Sequence, residues 1–233
     1  MKFRGQPSKR ARVWAAPSAA LALLLLTGCG EITPGTAAVV NGSRITNDDV
    51  NDLAAAQCVA ADRAAKSGNS TAMAISKVKQ QSLGLLMDTE LSLQYAKDQD
   101  IVPEKTLAKG FYNQLEPGIT PLPGKARAVL TDVFATWAQG RAILVTAGSK
   151  STGQEPSFTN LDQLISAGLQ DRTTWMKGAK IETDPRYAPS KGGFPGGGDG
   201  SVSRAGSTFA KGARSAKPDP KFVAGLPASQ KCG

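Results

Sequence analysis

Ala38-Val39-Val40-Asn41-Gly42-Ser43-Arg44-Ile45-Thr46-Asn47-Asp48-Asp49-Val50 carries the strongest local instructions in this chain. Asn-Gly between two β-forming pairs is a hairpin signal, because both turn positions of a tight two-residue hairpin need positive φ. Thr46, with Asp49 three residues on, has the layout of a capping box and predicts a helix start. Val50, Leu53, Ala54, Cys58 and Ala61 mark the apolar face of that helix, and Ser67-Gly68-Asn69-Ser70 ends it.

Beyond this segment the pattern is helical. A second helix is expected from about Thr71 to Asp98, with Ile75, Val78, Leu85, Leu86, Leu93 and Tyr95 giving a broad apolar surface suited to the centre of a small bundle. Pro103 suits the first turn of a third helix ending near Pro117-Gly118. Ala126, Leu130, Val133, Trp137, Gly140 and Leu144 form one stripe of a fourth. A loop is predicted from Ser149 to Pro156. Thr159 with Asp162 then resembles another cap, opening a last helix to about Lys177. Lys180 to Thr183 reads as a short strand stopped by Asp184-Pro185.

The two ends of the chain differ in composition from the middle. Five basic residues and no acidic one precede the apolar run Val13–Leu26, which is short for a membrane span and has the layout of a secretory signal. Leu26-Thr27-Gly28-Cys29 then resembles the lipobox of bacterial lipoproteins. That resemblance implies cleavage after residue 28, acylation of Cys29, and a protein anchored at the extracytoplasmic face of the cell membrane. Residues 29–36 read as a tether. From 191 to 233 the chain is rich in Gly, Ser, Pro and Lys, with few apolar residues to offset ordering entropy, and is expected to be disordered.

Charge follows the same division. The formal net charge is +9, but five of the basic residues sit in the leader. Residues 186–233 hold eight basic and two acidic residues, whereas residues 29–185 hold 15 and 17. The core is near neutral, which with export argues against nucleic-acid binding. The tail cations Lys191, Arg204, Lys211, Arg214, Lys217 and Lys221 suit either contact with anionic lipid or cell-wall polymers, or a plain solubilising role.

There is no histidine, so Ser-His-Asp and Cys-His nucleophile systems and ordinary His-containing zinc sites are excluded. The acidic pairs Asp48-Asp49, Asp88/Glu90 and Asp98/Asp100 lack calcium-loop spacing and read as solvated charges or dipole partners. No cofactor, metal or catalytic residue is expected. With Cys29 assigned to lipid, Cys58 and Cys232 are an even pair in an oxidising compartment. A bridge between them and a buried free thiol at Cys58 are both open readings.

The hairpin-to-helix segment resembles the start of the SurA N-terminal domain. Ile181-Glu182-Thr183-Asp184-Pro185-Arg186-Tyr187 resembles the closing strand of SurA-like actinobacterial lipoproteins. The two motifs bracket residues 37–190. The resemblance implies a mostly α fold: a small helical bundle whose short N-terminal β-hairpin pairs with a C-terminal strand. It also implies a chaperone or holdase for unfolded exported polypeptides. Many relatives carry a parvulin-type prolyl isomerase domain, but only residues 148–158 separate the last two helices here, and histidine is absent. A non-catalytic role is therefore expected, with an isomerase-type foldase and a structural or adaptor lipoprotein as alternatives. Phe111, Tyr112, Trp137, Trp175 and Tyr187 are the large side chains that would bind clients, although aromatics at helical spacing more often pack inside.

Overall fold

The computed structural model describes residues 32–68, 72–187, 189–190, 192–195, 207 and 219–233. The predicted leader, the lipobox residues Leu26, Thr27 and Gly28, the acylation candidate Cys29, and the tail cations Lys191, Arg204, Lys211, Arg214 and Lys217 lie outside these.

The hairpin forms as its sequence directs. Strands β1 (Thr36–Val40) and β2 (Ser43–Thr46) pair antiparallel around Asn41 and Gly42, whose φ values are +48° and +84°. Helix α1 (Asn47–Lys66) starts at Thr46. The Thr46 hydroxyl accepts from the Asp49 amide at 3.1 Å, and the Asp49 carboxylate accepts from the Thr46 amide at 2.9 Å. Two otherwise orphaned donors are thereby satisfied, a cap contributing about 1 kcal/mol.

Four more long elements complete the bundle. Strand β3 (Met73–Ala74) leads into helix α2 (Ile75–Asp98), followed by α3 (Lys105–Ile119), α4 (Gly124–Thr152) and α5 (Leu161–Trp175). The second helix starts later than Thr71 because Met73 and Ala74 are drawn into a strand pair. The fourth runs past Ser149 and ends at Gly153. Asn160, not Thr159, precedes α5, and its side chain braces the loop by accepting from the Ser157 amide and donating to the Glu155 carbonyl. Leu53, Leu83, Met87, Leu91, Ile143, Leu144 and Leu164 are fully buried. Each such side chain contributes roughly 1.5–3 kcal/mol by leaving water.

Helices α4 and α5 touch backbone to backbone. A Cβ placed on Gly148 would lie 1.9 Å from the Leu164 carbonyl oxygen, and one on Gly168 2.0 Å from that of Leu144. Only glycine permits this approach. Arg172 of α5 is buried and donates to the Asp88 carboxylate and carbonyl and to the Ser92 hydroxyl, which ties α5 to α2.

Strand β4 (Ile181–Thr183) then returns to β1, giving a three-stranded sheet in the order β2-β1-β4. Ala38, Val39 and Val40 face Thr183, Glu182 and Ile181, and the pairing is flanked by Asn41 N to Lys180 O at 2.8 Å and Asp184 N to Ala37 O at 2.9 Å. The fold is thus mostly α, with an N-terminal hairpin that pairs with a later strand.

The tail departs from the expected disorder at both of its described ends. Phe194 packs against the core beside Trp175 and Ile181. Residues 219–233 form a short helix α6 (Pro220–Ala224), a 3-10 turn and strand β5 (Lys231–Cys232), which pairs antiparallel with β3. Val223 and Leu226 bury against Ala74, and Cys58 and Cys232 are joined in a disulfide with their Cα atoms 5.0 Å apart. Averaged composition concealed this terminal apolar cluster. Phe222, Val223, Leu226 and Cys232 are few, but they land together on one patch and one covalent bond holds them there.

Candidate functional site

The residues singled out as client-binding candidates do not converge. Tyr187 is buried in the core and its hydroxyl donates to Asn47 at 2.8 Å. Burial pushes its phenol pKa up. Phe111 packs beside Leu144 and Leu164, and Tyr112 beside Ile119 and Leu122. Trp137 meets Phe134 edge-on and lies under the Arg141 guanidinium. Trp175 stacks obliquely on Tyr95, donates from Nε1 to Asp98, and lines a groove.

That groove is built from elements that the hairpin and α2 set in place. Its central part, a cavity of about 380 Å³, opens between β2, the first turn of α1, the middle of α2 and α4. Ile45, Leu86, Leu93, Val129 and Val133 form its apolar surface, and Arg44, Asp49, Asp52, Glu90 and Asp132 its charged surroundings. A smaller hollow of about 140 Å³ between α1 and α4 shares Asp52 and Val129 with it. On the other side, a wider depression of about 700 Å³ shares Glu90 and Leu93 and runs to Trp175 and Ala179. The three hollows thus adjoin through shared lining residues.

Several polar groups in these hollows are already engaged. Asp49 caps α1, Lys125 pairs with Asp52 at 2.8 Å, and Gln94 donates to both Glu90 and the Val40 carbonyl. Asn41 donates to Gln94 and accepts from the Lys180 amide, which pins the hairpin tip to α2 and to the segment entering β4. Thr89 differs. It lines the central cavity, is 7% exposed, and its hydroxyl has no hydrogen-bond partner among the described residues. A buried hydroxyl left in that state costs on the order of 1–3 kcal/mol.

Sequence reasoning placed Leu86, Leu93 and Val133 on apolar helix faces and took those faces as core. The structure leaves all three half-buried, because β2 and α4 diverge over the middle of α2. The breadth of the apolar surface on α2 was the available signal, since it exceeds what neighbouring helices cover. Thr89 and Arg44 gave no signal of their own.

Among the described residues, no cluster of three or more His, Cys, Asp or Glu side chains is placed to hold a metal ion. No described helix is long and apolar enough to cross a membrane. The arrangement offers apolar contact area and carboxylates in adjoining open hollows, which suits binding an extended molecule. No family model matches this chain, and neither a curated protein nor a solved structure matches it significantly.

Proposed function

We propose that this chain is a lipid-anchored, extracytoplasmic holdase: a non-catalytic chaperone that binds unfolded or partly folded exported polypeptides. The observation that carries the reading is the set of three adjoining open hollows with apolar lining on α1, α2 and α4. Apolar side chains in adjoining open hollows fit an extended chain better than a compact small molecule. The SurA-like hairpin and the lipobox-like Leu26-Thr27-Gly28-Cys29 support the same reading from the sequence side.

The test is suppression of aggregation of several unrelated unfolded proteins by the full chain. Leu93→Ser, which removes apolar surface from these hollows, is expected to weaken suppression while the chain stays folded. Stoichiometric capture of a single envelope protein with no general suppression would replace the holdase with an adaptor. Acceleration of prolyl isomerisation in a peptide assay would replace it with a foldase. Cys29→Ala is expected to move the protein from the membrane to the soluble fraction.

A further inference from the structure

The central cavity is bounded on one side by a strand edge. In the sheet order β2-β1-β4, β2 is an outer strand, and Ser43, Arg44 and Ile45 all line the cavity. The direction of its free backbone groups follows from the register. Asn41 N bonds Lys180 O and Asp184 N bonds Ala37 O, so the alternation along β1 turns the N–H and C=O of Val39 toward Glu182 of β4. Val39 faces Arg44 across the hairpin. That pair is therefore the non-hydrogen-bonded one, and the N–H and C=O of Arg44 point away from β1. The next outward donor, the Thr46 amide, is taken by Asp49. The open edge thus narrows to one donor and one acceptor on Arg44.

Three further observations surround that edge. The apolar residues Leu86, Leu93, Val129 and Val133 line the same cavity as the β2 edge. Thr89 lines it too, with its hydroxyl turned into the protein. Four carboxylates, Asp49, Asp52, Glu90 and Asp132, stand against the single cation Arg44 among its lining residues.

We infer that the edge of β2 at Arg44 receives an extended client segment as an added antiparallel strand, and that the preferred segment alternates apolar residues with lysine or arginine. The inference rests on the holdase reading and names the substrate class of that site. Backbone pairing tolerates many sequences, the apolar residues accept side chains turned into the cavity, and Glu90 and Asp132, the carboxylates not spent on the helix cap or on Lys125, favour long cationic side chains on the same segment.

The experiment measures binding of a fluorescent nine-residue leucine/lysine alternating peptide to the full chain by anisotropy. Arg44→Pro deletes the outward N–H, and the hairpin's own bonds do not use that group. It is expected to weaken binding roughly tenfold, while Arg44→Ala, which removes only the side chain, stays near the wild type. The same peptide N-methylated at alternate amides is expected to lose affinity for the unaltered protein, a result independent of any folding defect in Arg44→Pro. A leucine/glutamate peptide is expected to bind more weakly, and added salt to reduce the difference. Equal affinity for the N-methylated and parent peptides, or no binding of the parent, overturns strand addition. If aggregation suppression persists in either case, the holdase reading survives it. Edge-dependent peptide binding without any aggregation suppression supports the docking mode and removes the holdase reading.

Discussion

Two distant parts of the chain come back to its first helices, and different forces hold them there. Strand β4 reaches β1 at the end of α5, which is seated on α4 through Gly148 and Gly168 and on α2 through Arg172. Its pairing is then continued by backbone bonds on both flanks. Strand β5 reaches β3 over only two residue pairs, Met73 with Cys232 and Ala74 with Lys231, and its anchor is the Cys58–Cys232 bond. A two-residue pairing is far below the size of an independently stable sheet. The first return is a consequence of packing. The second is a small apolar patch made permanent by a covalent bond.

The contrast can be broken from either side. Gly168→Ala is expected to have the largest effect, on the order of 4 kcal/mol, because its Cβ meets a backbone carbonyl that cannot rotate away. Urea unfolding reads the loss. Hydrogen exchange should show Ile181–Thr183 losing protection more than Met73–Ala74, since β4 depends on α5 and β3 does not.

Removing the disulfide by Cys58→Ser with Cys232→Ser addresses the other return. The bond spans a separation of 174 residues; the chain-entropy relation sets an upper figure of about 5 kcal/mol for a loop of that length, and disulfides typically contribute about 2–4, so a loss of about 3 kcal/mol is expected. Limited proteolysis should then cut within 219–233, while the β2-β1-β4 sheet keeps its exchange protection. Equal loosening of both sheets would show that the two returns are one cooperative unit.

Smaller changes sharpen the packed return. Tyr187→Phe deletes the hydroxyl that donates to Asn47 and is expected to cost about 1 kcal/mol in thermal or urea unfolding. The smallest effect belongs to Asp184, just beyond β4. Hydrogen bonding from the Arg186 side chain holds its carboxyl below the ordinary carboxylate value, against the upward push of burial. A depressed folded-state pKa means that this contribution is complete at neutral pH and lost as pH falls from about 4 through the lower folded value. Asp184→Asn should flatten the acid limb of the stability curve in that window and leave the alkaline limb unchanged.

Legibility followed the range of the interactions. Asn41-Gly42 and Thr46 with Asp49 act within a few residues, and both the turn and the capping box stand where the sequence places them. The Ala126-to-Leu144 stripe likewise lies on one helix. The groove was not legible, because Leu86, Leu93 and Val133 look like any other core positions until β2 and α4 are seen to part above them. Nor were Gly148 and Gly168, which have no turn to make and matter only because each faces a carbonyl of the other helix.

Local chemistry in the chain was sufficient to set the hairpin, the start of α1, the mostly α class and the strand after the last helix. Each depends on φ preference, capping or periodicity, which act over one to four residues. Pairing β5 with β3 and Cys58 with Cys232, and leaving α2 half-covered, required the assembled bundle. Those features depend on distances between residues far apart in sequence, and such distances exist only once the helices have packed.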